Sequence, residues 1–280
     1  MFNVRPHKEH AALRRHIAGP YKFSNFKKLE PLMDHRMREW FKRLDEKFAE
    51  TGDAFDFSWW SLYLAYDVIS EAVYGAPFGF IEQGKDIKIT PLKKYLVVKS
   101  TDDSGMGVLL RFRDNLIDKR LEDMKMGKHI DKVDFLVFTK LCGSAHLGPP
   151  FSFDMSLHQV PISTGRLFPP GIEVAVNAWI LHRDPALYGE DTEVFCPDCW
   201  LNPERAKMFK RYDFTFGYGS RACLGKDIAT MKLFKAPLQF LRRYQFERVP
   251  GKPEPRFVLH GGIASWIDVW ITLRQKSSVK

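Results

Sequence analysis

A single thiol carries the most specific chemistry in this sequence. Cys223 stands in the run Phe216 to Gly225, FGYGSRACLG, between a loop and a strongly amphipathic stretch. That spacing puts the thiol at a helix N-terminus with Arg221 two residues before it. The helix dipole and the guanidinium both favour the ionised form, which ligates metal or attacks an electrophile. Gly219 and Gly225 let backbone come close to something flat and bulky, and Phe216 can pack against it. A thiolate that accepts backbone N–H bonds beneath a planar cofactor suits a haem iron. The plainer reading of the same residues is an inert buried cysteine in a glycine-bearing loop.

Other reactive types are more ambiguous. Cys196 and Cys199, in CPDC, read either as half a zinc site or as a redox pair; there is no second Cys-x-x-Cys, and Cys142 and Cys223 lack matching spacing. His10 and Arg14 in HAALRR are four apart and share one helix face, which also fits an ordinary solvated surface. Residues 201–250 hold eleven Lys or Arg against four Asp or Glu, a local charge of +7 around Cys223. That surface speeds encounter with an acidic protein, or is simply solvated. The scattered Lys-Lys and Arg-Arg pairs carry no nucleic-acid signature, so no nucleic acid is expected as a partner.

The elements that position these residues are mostly helical. Apolar residues recur at steps of three and four over Leu29–Ala49, Trp59–Tyr74 and Leu109–Met124, with Asp53, Asp56 and Gly75 as punctuation. From Pro149 to Pro203 prolines mark short strands and turns, and Gly171–Leu181 reads as a strand running into a short helix. After Gly225 one apolar stripe, Ile228, Met231, Phe234, Leu238 and Leu241, predicts a helix to about Tyr244, and Gly261–Leu273 alternates as a strand. The expected class is α+β, mainly helical, with a small β region near the C-terminus.

Composition excludes several classes. With 280 residues, 45% hydrophobic and 28% charged, the chain has ample core material and is not a disordered protein. Four cysteines do not make a disulfide scaffold. The opening MFNVRPHKEHAALRRH lacks the apolar core of a secretion signal, so secretion is not expected. The longest uncharged apolar stretch, Phe57 to Tyr66, is too short for the roughly 20 residues of a membrane span. No transmembrane anchor is expected, only peripheral association.

The segment Phe216–Gly225 resembles the haem-binding loop of cytochrome P-450, Phe-x-x-Gly-x-Arg-x-Cys-x-Gly, at all five defined positions. The resemblance implies Cys223 as axial thiolate to haem (iron protoporphyrin IX), Arg221 as a propionate contact and Phe216 as the ring shielding the sulfur. It also implies Gly219 and Gly225 as cofactor-contacting glycines. His10 and Arg14 resemble the propionate-holding pair of the family's C helix, and His158 falls where a further propionate-binding residue is expected. Asn177–Arg205 and Ile162–Gly171 are similar to the segments before the haem loop, in the manner of filamentous-fungal members.

The resemblance treats residues 1–280 as one truncated domain. Residues 1–138 are similar to helices C to H, and residues 149–280 to the region after helix K, the haem loop, the L helix and the terminal strands. The family's anchor and first helices find no counterpart upstream, and no Ala-Gly-x-Asp-Thr-like run marks a long I helix. The Glu-x-x-Arg positions are occupied by Gly143 and His146, and the Arg of Pro-Glu-Arg-Trp by Cys199. Losing a buried charged network as a whole costs far less than losing one member.

Two functions follow as expectations. One is a haem-thiolate monooxygenase of fungal secondary metabolite biosynthesis, acting on a small apolar substrate with electrons from an NADPH-cytochrome reductase-like donor. Its location would be cytoplasmic or peripheral to the endoplasmic reticulum, and without the distal helix little turnover is expected. The other is a catalytically inactive relic, or a mis-spliced product, that binds haem weakly or only a partner protein.

Overall fold

The computed structural model describes residues 7–19, 21, 23–86, 111–112, 114–116, 118–119, 122–123, 126, 154–156, 173–260 and 263–277. In chain order the helices are α1 (His7–Ala18), α2 (Phe23–Leu44), α3 (Phe57–Tyr74), α4 (Phe80–Gln83), α5 (Ala178–Leu181), α6 (Pro185–Tyr188), α7 (Pro203–Arg211) and α8 (Lys226–Arg243). The strands are β1 (Phe55–Asp56), β2 (Asp154–Ser156), β3 (Glu173–Ala175), β4 (Tyr244–Arg248), β5 (Arg256–His260), β6 (Ile263–Ile267) and β7 (Trp270–Gln275). The described residues between 111 and 123 are helical too. The expected class, mainly helical with small sheets, is the class observed. Two compact units divide the chain: Met1–Gly19 with Phe151–Lys226, and Pro20–Pro150 with Asp227–Lys280.

In the unit that holds α2 and α3, local chemistry sets the helix ends. Asp56 caps α3, its Oδ1 accepting from Ser58 N at 3.0 Å, and Gly75 ends it with φ 78°. A left-handed residue at that position favours glycine, which has no Cβ to clash. The same Asp56 oxygen accepts from Val269 N at 3.1 Å, so one carboxylate joins the helix start to the β6–β7 corner. Helix α2 buries Met33, Met37, Trp40, Phe41 and Leu44, a stripe at helical spacing, against Trp60, Tyr63, Leu64 and Val68 of α3. The Trp40 indole N–H donates to the Trp60 carbonyl at 2.8 Å, giving the largest of the fully buried side chains a polar partner.

Asp67 is 1% exposed, yet it is well bonded. Oδ1 accepts from Gly79 N at 3.0 Å and Phe80 N at 3.2 Å, and Oδ2 from Ile81 N at 2.8 Å. These are first-turn donors of α4, whose own ladder cannot satisfy them. Burial pushes the carboxyl above its ordinary value, and the three amides and Arg36 pull the other way without cancelling it.

The sheet β1-β7-β4 is antiparallel, with Phe55 opposite Ile271 and Phe246 opposite Leu273. It is tied to the end of α2 by Asp45. That carboxylate accepts from the Tyr244 hydroxyl at 2.6 Å and pairs with Arg243. Burial alone would raise the Asp45 pKa, but bonds from Arg243, Tyr244 and Gln275 outweigh it and hold the value below 3.8. A carboxyl depressed in the folded state contributes stability at pH above its unfolded value, and loses it as pH falls through the folded value. Asp45→Asn is therefore expected to cost about 2–3 kcal/mol near neutrality and much less at an acid pH below the folded value. Urea melts at the two pH values check it; equal losses at both would show that the charge is not what matters.

The stripe expected on α8 packs only at its start: Ile228 is buried and Met231 lies against the core, whereas Phe234 is 75% exposed, Leu238 50% and Leu241 51%, and further along the buried residues are Ala236 and Phe240. Lys235 fixes the rotation by donating to Glu30 and Asp34, each at 2.6 Å, from α8 to α2. The single strand expected over Gly261–Leu273 is two strands, broken at Asp268. Its φ of 63° turns the chain, and its Oδ2 accepts from Arg256 Nη2 at 2.9 Å.

The other unit contains α1, the β2–β3 hairpin and α5 to α7. β3 runs into α5, as the Gly171–Leu181 reading predicts, with Asn177 Oδ1 accepting from Trp179 N at 3.0 Å. α7 is capped by Asn202, whose Oδ1 accepts from Glu204 N and Arg205 N at 3.0 and 3.1 Å. Phe209 is its one buried anchor, stacked on Tyr188 at 4.9 Å and edge-on to Trp200 at 5.0 Å. Among the described residues no helix is long and apolar enough to cross a membrane.

Candidate functional site

The loop from Asp213 to Gly225 is built from short-range hydrogen bonds that its own sequence supplies. Asp213 Oδ1 accepts from Thr215 N at 2.8 Å, and Gly217 N donates to Phe214 O at 2.9 Å. Burial would raise the Asp213 carboxyl; the Thr215 bonds, with His182 and Lys226 nearby, hold it below its ordinary value instead. Phe214 N donates to His182 Nε2 at 2.9 Å, so the proton of a neutral His182 sits on Nδ1. That imidazole hooks the loop to the end of α5. Asp213 and His182 were not singled out in the sequence, although Asp-x-Thr is a local turn signal.

Beyond Gly217 the chain turns back on itself. Gly217 and Gly219 have φ of 69° and 62°, Ala222 N donates to Gly219 O at 3.1 Å, and Cys223 N donates to Phe216 O at 2.7 Å. The last bond closes a loop whose two ends are Phe216 and Cys223, and it brings the ring and the thiol to neighbouring backbone positions. Lys226 Nζ lies 6.0 Å from the Phe216 ring centre. The Cys223 thiol is free and exposed. Gly225 immediately precedes the first residue of α8, so the thiol stands just before that helix, as the sequence predicts.

Helix α1 supplies the second wall. Arg14 Nη2 donates to Ala222 O at 2.7 Å, across 208 residues of chain. A guanidinium bonded to a carbonyl adjacent to the thiol holds the loop directly. His10, one turn earlier on the same face, is 3% exposed, so this pair does not form the solvated surface that their spacing also allowed. Arg221 lies half-buried in the 3₁₀ turn Gly219–Arg221. The structure thus brings Arg14, Phe216, Gly219, Arg221, Cys223 and Gly225 to one loop, with His10 on the helix that anchors it. His158 lies outside the described residues.

The donor set fits a haem. A soft exposed thiol is available for iron, and Arg14, Arg221 and His10 lie on the loop and on the helix bonded to it. Gly219 has no atom within 4 Å of where a Cβ would stand, so the loop presents open space on that side. The zinc reading of CPDC does not fit: Cys196 and Cys199 are joined to each other as a disulfide. Among the described residues no group of three or more His, Cys, Asp or Glu could hold a metal ion.

Comparison with known proteins converges on one family. The family model "Cytochrome P450" matches residues 158–265. "Quiannulatic acid synthase" of Emericella variicolor is 23% identical over 98% of this chain and 75% of its own length. That alignment runs over 398 positions, more than the 280 residues present here, so the relative contains residues without counterpart. A "Cytochrome P450 monooxygenase" of Aspergillus terreus is 23% identical over 86% of this chain and 72% of its own. "Pisatin demethylase" of Fusarium vanettenii is 40% identical over 30% of the chain and 16% of its own. Among solved structures, the cytochrome P450DA heme domain superposes with a TM-score of 0.67 at 14% identity, covering 95% of this chain and 76% of that one. The expected partial form of that fold is therefore the observed one.

Proposed function

We propose that this chain, a member of the cytochrome P450 family, is a haem-thiolate protein of the fungal monooxygenase type with Cys223 as the iron ligand. One observation carries the assignment of the ligand. The free, exposed thiol ends a loop closed by its own amide on Phe216, and Arg14 grips the adjacent carbonyl. When bound, haem supplies activation of dioxygen for insertion of one oxygen atom into a small apolar molecule.

The chain's own residues supply the rest. Cys223 would hold the iron through its sulfur, a thiolate being a strongly electron-donating ligand. The Cys223 N–H bond to the Phe216 carbonyl holds the backbone beneath that sulfur, and the Phe216 ring would shield it once haem is bound, as the family resemblance implies. Gly219 keeps the loop surface clear of side chain. His10, Arg14, Arg221 and His158 supply positive or donor groups for the propionates, with Arg14 also holding the loop from α1. The basic surface around residues 201–250 suits an acidic NADPH-cytochrome reductase-like donor, and a donor of that kind fits a location in the cytoplasm or at the face of the endoplasmic reticulum. The fungal relatives support a substrate from secondary metabolism. Residues 1–280 form one shortened family domain in this reading.

The test is the absorption spectrum of the haem-loaded protein after reduction under carbon monoxide. A strongly red-shifted Soret band is the expected result. A protein that takes up no haem, or one whose band stays where a neutral ligand leaves it, overturns the proposal.

A further inference from the structure

We infer that Cys196 and Cys199 form a reversible dithiol–disulfide couple on the protein surface, reduced by a dithiol protein or small dithiol. The sequence leaves a half zinc site and a redox pair open. The structure joins the two sulfurs directly, Cα to Cα 5.7 Å, with only Pro197 and Asp198 between them.

Three features of the site make it a couple rather than a staple. A bond across so short a loop removes little freedom from the unfolded chain, so it contributes little to holding the fold. Nor does it join separate elements: both cysteines belong to one 3₁₀ turn, Pro197–Trp200 with Cys196 at its cap. Access is the third feature. Cys196 is exposed and Cys199 half-buried, so an incoming thiolate reaches the Cys196 sulfur first. Exposed Val194, Phe195 and Leu201 flank the turn in sequence, with Phe195 91% exposed, and offer apolar contact to a reductant protein.

The exchange balances without any group held elsewhere in the molecule. A thiolate of the dithiol reductant attacks Cys196 Sγ, the Sγ–Sγ bond breaks, and Cys199 leaves as a thiolate that takes a proton from water. The reductant's second thiolate then attacks its own sulfur in the mixed disulfide and releases Cys196 as a thiolate, which is protonated in turn. The pair gains two electrons and two protons, and the reductant departs as its disulfide. Oxidised glutathione reverses the change. Cys223 takes no part, so this inference stands or falls apart from the haem assignment.

Trp200 provides an optical report. It follows Cys199 directly and meets the Phe209 ring edge-on at 5.0 Å. A neighbouring disulfide quenches indole emission, and reduction relieves it.

The experiment uses the folded 280-residue chain. It is alkylated without reductant, after incubation with reduced thioredoxin or dithiothreitol, and after later treatment with oxidised glutathione. Trypsin then releases residues 184–205 as one peptide that contains both cysteines and no other. The expected result is no label, then label on both cysteines, then loss of label, with a rise in tryptophan emission on reduction. That rise vanishes in Trp200→Phe and in the Cys196→Ser, Cys199→Ser double variant. Label on both cysteines without reductant that prior treatment with oxidised glutathione does not prevent overturns the inference. So does a bond that resists reductant until denaturant is added, or stoichiometric zinc released by alkylation.

Discussion

Replacing Cys223 with serine is expected to abolish the red-shifted Soret band of the reduced, carbon-monoxide-bound protein while leaving fold stability unchanged to within about 0.5 kcal/mol. The two halves of that expectation rest on different parts of the loop. The Cys223 contact that closes the loop is made by its backbone N–H to Phe216 O, and serine keeps it. The side chain itself is exposed and unbonded to another cysteine, so its removal leaves no cavity and no orphaned partner. What serine cannot supply is a thiolate, because its hydroxyl stays protonated at neutral pH and is a poor ligand for this chemistry. Spectra and urea melts on the same preparation check both halves. An undiminished red-shifted band in the variant would assign the ligand elsewhere.

Asp67→Ala is expected to cost roughly 3–5 kcal/mol, a large share of the stability of a typical domain. The carboxylate takes the N–H groups of Gly79, Phe80 and Ile81, and alanine strands all three. Each stranded buried donor costs about 1–3 kcal/mol, and the partly buried Gly79 amide sits at the low end. Asn is expected to do better than Ala and worse than Asp. Its carbonyl can replace Oδ1 for Gly79 and Phe80, but its amide nitrogen then faces the Ile81 N–H as donor to donor. Hydrogen exchange at Phe80 and Ile81, with denaturant midpoints, ranks the three proteins. If Ala matches Asp, the amides are satisfied by other means.

Helix ends were legible in the sequence because their signals are local. Asp56 before an apolar run and Gly75 after it are cap chemistry, and α3 begins and ends at them. The loop at Cys223 was legible for the same reason, since glycines, arginine and thiol sit within ten residues. The resemblance of that run to one family's haem loop also foreshadowed the partial fold that the heme domain shares. Rotation of α8 was not legible. Apolar residues occupy more than one of its faces, and the choice is made by Glu30 and Asp34, far away in sequence, which hold Lys235. Asp67 was invisible for a related reason: a lone carboxylate in an apolar helix gives no hint of the three amides that meet it from a later turn. The break at Asp268 hid within an alternating pattern, because the alternation continues on both sides of a residue with positive φ.

The interleaving of the two units has a consequence for synthesis. Arg14 is made 208 residues before the carbonyl it grips. At the roughly 5–20 residues per second of translation, α1 waits on the order of 10–40 s for that partner. A helix of 12 residues is barely populated on its own for that time. A segment made early is thus among the last to settle, and a pause in translation upstream of residue 222 prolongs the interval during which it can be cut by a protease.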